Sequence, residues 1–139
     1  MRVVAFMIGD ETTESGRIPQ PEEFAEMGRF NQQLIDAGVM LAGEGLHPTS
    51  DGAKVRWTAD GPTVIDGPFT EAKEVVAGFW IVEVKSLDEA KEWFQRCPGG
   101  EGTEIQLRPI YELEEFGDNL PTELREQNDA LREKIAEGE

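Results

Sequence analysis

Cysteine and histidine occur once each in these 139 residues. Cys97 therefore has no partner for an intramolecular disulfide, and the pair is too few for a Cys/His zinc site. No HExxH or CxxC pattern is present, so no metal is expected. Bases are scarce too: 13 Lys and Arg stand against 29 Asp and Glu, a formal net charge of −16. Without a basic stripe to release phosphate counterions, nucleic acid is excluded as an expected partner. Anionic membrane surfaces are disfavoured for the same reason. Long hydrophobic runs are also missing. The apolar stretch near the N-terminus is too short to span a bilayer, and no small-residue cleavage pattern follows it. It reads as a first strand, and a cytoplasmic protein is expected.

A hydrophobic content of 38% suffices for one core. The charge is unevenly spread. Residues 112–139 hold ten acids and three bases, so the last fifth of the chain carries nearly half of the excess. That shift puts a boundary near Tyr111, between a domain over residues 1–111 and an acidic, helical extension over 112–139.

Periodicity supplies the elements. The run 2–8 predicts a buried strand, and Asp10 to Gln20 a loop. A helix should start at Pro21, whose missing N–H costs nothing in a first turn, with Glu22 and Glu23 at the positive dipole end. Gly38 suits its left-handed stop. Phe24, Met27, Phe30, Leu34 and Ile35 would form its buried face. Val39 to Ala42 predicts a second strand, followed by Gly43-Glu44-Gly45, where a bend or bulge is allowed. Residues 53–58 and 62–66 read as a hairpin around Asp60-Gly61. Val75 to Val84 is a long strand with Gly78 as a bulge position. Ser86 and Glu89 fit a capping box opening a second helix, with Ala90, Trp93, Phe94 and Cys97 on one face. Glu104 to Ile110 closes the sheet.

Strand, helix, strand, hairpin, strand, helix, strand predicts an α+β, ferredoxin-like sandwich: an antiparallel sheet with two helices on one face. The other face would be bare. Trp57, Trp80, Val82 and Val84 are assigned to it, so a second subunit is expected to cover it as a homodimer. In the extension, Leu124, Leu131 and Ile135 form an apolar stripe expected to dock on the core or the partner, because so short a helix is marginal alone.

The corner Asp66-Gly67-Pro68-Phe69 is the most informative motif. Gly is free to take φ > 0, and Pro fixes its own φ and restricts the residue before it, so strand 63–65 must stop there. Two readings stand: a tight turn whose Asp66 carboxylate accepts turn amides, or a site presenting Asp66 and Phe69. His47 is either a general base or a surface loop residue before Pro48. Glu44 would orient a ligand, and Trp80 with Phe69 would wall a pocket. Lys73 would reach Asp66 or an anion if a short helix follows the corner, or would simply be solvated. Cys97 reads as a buried structural thiol. Gly43-x-Gly45 is no dinucleotide fingerprint, since no helix follows it, and no cofactor is expected.

These motifs occur together in one family. Asp66-Gly67-Pro68-Phe69 with Glu71 and Lys73-Glu74 is followed by Gly78-Phe79, then by Ile81 to Val84. Leu87-Asp88-Glu89-Ala90 and Arg96-Cys97-Pro98 come next. Upstream stand Gly43-Glu44-Gly45-Leu46 and Pro48, and downstream Arg108-Pro109. Over residues 1 to about 111 the chain resembles the DGPF-domain proteins of the YCII-related family. The resemblance implies a ferredoxin-like fold that pairs through its sheet, as in the dimeric α+β barrel proteins. Some members of that broad class are small-molecule lyases, isomerases or monooxygenases. YCII-like proteins are associated with a histidine on the first helix working with an aspartate. This chain offers Glu23, Glu26 and Arg29 there and no histidine.

Three functions follow as alternatives. One is a small-molecule pocket with Asp66 and His47 as acid–base groups. A second is the same pocket used for binding or regulation alone. The third is a protein-interaction module acting through the acidic tail. A pocket holding both Asp66 and His47 would favour the first, and a closed core the third.

Overall fold

A computed structural model describes residues 1–69 and 75–138. The chain divides into two compact units, Met1–Pro109 and Ile110–Glu139. In the first, the order is β1 (Arg2–Ile8), α1 (Glu11–Glu14), α2 (Pro21–Asp36), β2 (Met40–Gly45), β3 (Ala53–Thr58), β4 (Gly61–Asp66), β5 (Val76–Glu83), α3 (Leu87–Phe94) and β6 (Ile105–Pro109). β2, β5, β1 and β6 lie side by side in that order in an antiparallel sheet, and β3 and β4 form a separate ribbon. This is the expected α+β, ferredoxin-like arrangement. Pro109 ends β6 at the sheet edge, where a missing N–H breaks no ladder.

Strand alternation sorts the side chains. Val3, Ala5, Trp80 and Val82 point to one face and are buried against Phe30 and Leu34 of α2 and Ala90 and Phe94 of α3. Phe30, Trp80 and Phe94 form a ring triad with centroids 5.3–6.1 Å apart. Complete burial of Leu34, Val3 and Val82 contributes about 1.5–3 kcal/mol each.

The faces differ from expectation. Trp80, Val82 and Val84 belong to the helix-covered core, and Trp57 lies on the β3–β4 ribbon. The run Trp80-Ile81-Val82-Val84 is apolar on both parities, so alternation alone could not say which parity faces the helices. The register answers it: Val82 pairs with Val3, and Ile81 with Val4. The open face therefore carries Val4, Phe6, Phe79 and Ile81, all half-buried. It is still apolar, but built from other residues. The long strand's irregularity falls beside Gly78, where the register slips between Met7 and Ile8, and a second slip lies in β2 between Met40 and Ala42.

Three local readings also change. Asp10 to Gln20 is not all loop, because the Asp10 carboxylate takes the Thr13 amide at 2.9 Å and caps α1. On α2, Phe24 and Ile35 are exposed. At about 100° per residue, Met27 and Leu34 stay within about 60° of Phe30, whereas Phe24 and Ile35 fall about 120–140° away. Only half of the capping box on α3 forms: Ser86 Oγ accepts from the Glu89 amide at 3.1 Å, and Glu89 returns no bond. Gly38 does end α2, with φ 70°.

The second unit holds a 3₁₀ segment, Leu113–Asn119, and α4 (Thr122–Glu137). Tyr111 and Phe116 stack 5.1 Å apart, and Arg132 sits 4.0 Å from Glu112. α4 forms, and Leu124, Leu131 and Ile135 are exposed in the single chain. Three aliphatics among sixteen residues make a thin stripe, and the rest of the helix is mostly charged or amide-bearing.

Candidate ligand-binding site

The helix-facing side of the sheet runs out of side chains toward the end where β2 finishes and β5 begins. Gly43 pairs with Trp80, and Gly45 with Gly78, which also pairs with Met7. Partners in a ladder share a face, so three glycines converge beneath α2. The result is a cavity of about 230 Å³, roofed by Met27 and Asn31 of α2 and walled by Met7 and Trp80. The three glycines are not equivalent. A methyl on Gly43 would collide with the Met40 methyl and lie 3.1 Å from Trp80 Cδ1, and one on Gly78 would lie 3.0 Å from the Glu44 carbonyl oxygen. A methyl on Gly45 would meet nothing within 4 Å. Gly45 therefore faces open space.

The cavity's polarity follows from one hydrogen bond. Trp80 Nε1 donates to Asn31 Oδ1 at 2.9 Å. An indole nitrogen can only donate, so the amide must present its oxygen to Trp80. Its NH₂ then has no partner among the described residues and is available at the cavity wall. Phe79 and Glu44, which pair with each other, border the rim. The arrangement can hold a mostly apolar body and offer it two N–H donors from Asn31.

The corner after β4 is built differently. Gly67 donates its amide to the Gly52 carbonyl at 2.9 Å, and Phe69 donates its amide to Thr49 Oγ1 at 3.1 Å. Pro68 has no N–H. The three positions after Asp66 thus leave it no turn amide, and its exposed carboxylate accepts no hydrogen bond among the described residues. Among the described residues the expected self-bonded Asp66 is not formed. A side chain at Gly67 would overlap the Thr49 carbonyl, so this glycine is required by close backbone approach. Thr49 in turn is held by the Glu14 carboxylate, which accepts its amide at 3.1 Å and its hydroxyl at 2.5 Å. The motif is thereby latched to α1. Lys54 Nζ lies 4.2 Å over the Phe69 ring.

Of the expected site residues, the cavity brings together Glu44 and Trp80. Asp66, Phe69 and His47 are not among its lining residues. His47 is exposed, with Nδ1 3.0 Å from Asp51 Oδ2. Lys73 lies outside the described residues. Met7, Met27, Asn31, Gly45 and Gly78 were missed. Their signal was glycine at alternate positions of β2, which marks a strand face with no side chains. Burial pushes the Cys97 thiol up to about 11, in keeping with an inert structural cysteine. Among the described residues, no group of three or more His, Cys, Asp or Glu is placed to hold a metal. No helix among them is long and apolar enough to cross a membrane.

The sequence pattern of the YCII-related domain matches residues 1–114. An uncharacterised protein of Rhizobium meliloti (strain 1021) is 31% identical over 86 residues, covering 60% of this chain and 69% of that protein. Among solved structures, 5-chloro-2-hydroxyhydroquinone dehydrochlorinase from Burkholderia phenoliruptrix AC1100, in complex with 2,5-dihydroxybenzoquinone, aligns with 81% of this chain and 96% of its own. The identity is 15% and the TM-score 0.40. At that distance the likeness has no bearing on this chain's chemistry.

Proposed function

The chain belongs to the YCII-related family, and on that footing we propose that it binds a small organic molecule in the glycine-floored cavity beneath α2. The observation that carries this reading is the Trp80–Asn31 hydrogen bond beside an unfilled volume. A buried indole orients an amide whose two donors are left for a ligand. The fitting ligand is mostly apolar, matching Met7, Met27 and Trp80, and bears an acceptor oxygen for Asn31. Binding without acid–base catalysis by Asp66 and His47 is favoured, because neither lines the cavity. Glu44 is the one titratable residue on its border, but it pairs with Phe79 and so directs its side chain to the open sheet face, away from the ligand. The protein works as a homodimer paired through the open sheet face of Val4, Phe6, Phe79 and Ile81. It is placed in the cytoplasm, where a lone thiol stays reduced.

A thermal-shift screen with small acceptor-bearing organic molecules tests this. A ligand that binds only the folded state raises its apparent stability by mass action. Hits should vanish in Gly45→Leu, whose side chain enters the open space, and weaken in Asn31→Ala. The bare Gly45→Leu protein should be at least as stable as the parent, since a strand glycine is destabilising by roughly 0.5–1 kcal/mol relative to alanine. Hits that survive both substitutions unchanged would refute the assignment of the cavity.

A further inference from the structure

The side chains that line the cavity beneath α2 have one electrical sense. Asn31 is the polar side chain directed into it, since Glu44 turns to the opposite face of the sheet. The Asn31 oxygen is engaged by Trp80 Nε1 at 2.9 Å, which leaves the NH₂ and its two donors for the cavity. Trp80 itself presents its edge to the floor: a methyl on Gly43 would lie 3.1 Å from Cδ1 and 3.6 Å from Nε1. The edge of an aromatic ring is the positive part of its quadrupole. Amide hydrogens and indole edge together therefore favour an electron-rich oxygen. An ammonium group would find no carboxylate directed into the cavity and would face N–H donors. A carboxylate fares no better. Burying an ionised group is costly unless a counter-charge is paired with it. Among the described residues no Lys, Arg or His lines the cavity, and the chain's net charge of −16 adds repulsion. Volume sets the size. An apolar cavity of about 150 Å³ holds benzene. This one, of about 230 Å³, has room for one six-membered ring bearing a substituent of about two or three heavy atoms.

We infer that the cavity selects neutral, single-ring carbonyl compounds whose oxygen accepts from Asn31 Nδ2, and that it rejects carboxylates and ammonium ions of the same shape. The inference rests on the ligand-binding reading above and adds to it the charge, size and functional group of the ligand. A hydrocarbon of equal volume would fill the space but strand both Asn31 donors out of reach of water. A carbonyl satisfies them. That difference between a satisfied and a stranded amide is the source of the selectivity.

Four probes of similar shape test it: acetophenone, ethylbenzene, benzoate and benzylammonium. Each is titrated at pH 7 against the full chain by ligand-observed NMR. Acetophenone should bind roughly 10-fold or more tightly than each of the other three. The same titrations on Asn31→Asp give a readout that a merely structural residue would not move. This substitution keeps an oxygen for Trp80 Nε1 but exchanges the two donors for a carboxylate. Acetophenone should weaken by roughly 10-fold or more, and benzylammonium should become the preferred probe. The ranking on the parent decides the matter even if Asn31→Asp does not fold. Ethylbenzene, benzoate or benzylammonium binding the parent as tightly as acetophenone, with the binding lost in Gly45→Leu, would overturn the carbonyl selectivity and leave the cavity reading standing. Failure of all four to bind at millimolar concentration would overturn the single-ring class. Acetophenone binding that Gly45→Leu leaves unchanged would refute the cavity itself.

Discussion

Replacing Gly67 by alanine should be far more damaging than replacing the neighbouring Asp66, although Asp66 is the charged residue of the motif. The new methyl at position 67 would overlap the Thr49 carbonyl, so the turn at 49–51 has to move. That displacement strains four hydrogen bonds: Thr49 amide and hydroxyl to Glu14, Phe69 amide to Thr49 Oγ1, and Gly67 amide to the Gly52 carbonyl. At about 1 kcal/mol each, loss of three of them costs about 3 kcal/mol. The alanine returns about 0.4–1 kcal/mol by restricting the unfolded chain, leaving a net loss of about 2–3 kcal/mol. For a chain of this size that is a fall in Tm of roughly 7–10 °C. Asp66→Ala removes an exposed carboxylate with no bond among the described residues, and should stay within about 0.5 kcal/mol of the parent. Thr49→Ala should fall between, because it cuts the hydroxyl's bonds with Glu14 and the Phe69 amide, keeps the Thr49 amide bond to Glu14, and introduces no clash. Urea denaturation and scanning calorimetry read all three. Equal melting of Gly67→Ala and the parent would refute the latch, and so would a large loss in Asp66→Ala.

Two further outcomes follow from ionisation. Cys97, whose thiol is pushed up to about 11 by burial, should react with a thiol reagent at pH 8 roughly 100-fold more slowly than an exposed cysteine, because the thiolate is the nucleophile. Its folded pKa lies above the unfolded one, so its contribution is complete below the unfolded value and is lost as pH rises toward 11; rapid labelling of native protein would contradict the burial. The Arg17 guanidinium and the Gln20 amide hold the Glu23 carboxyl below its ordinary value. A lowered value means that this cap stabilises α2 at neutral pH and is lost as acid carries pH down through it. Carboxyl shifts in an NMR titration should show Glu23 titrating below an ordinary glutamate, and Arg17→Ala should raise its midpoint.

Element types were legible because periodicity is local. A 3.6-residue pattern over 21–36 and alternation over 53–66 need no tertiary information, and Gly38 and Asp60-Gly61 mark their own turns. The second strand ran further than its apolar residues, through Gly43-Glu44-Gly45, because ladder bonds to β5 do not require side chains. Which face a strand buries is not local. Val82 lies against the helices because it pairs with Val3, a residue 79 positions away.

The cavity was illegible for a related reason. It is made of absent side chains, and its emptiness appears only when Gly43 and Gly45 of β2 are set beside Gly78 of β5. Reading for chemistry drew attention to carboxylates and to the lone histidine, the groups that act on a bound molecule. In this fold, room for a molecule comes first, and glycines make it. The same argument separates the roles of the motif glycines. Gly67 and Gly78 are small because backbone carbonyls approach them. Gly45 is small with nothing near it. A glycine demanded by packing should not tolerate a side chain. A glycine that borders open space should accept one with no loss of stability, and any function lost with it then belongs to that space.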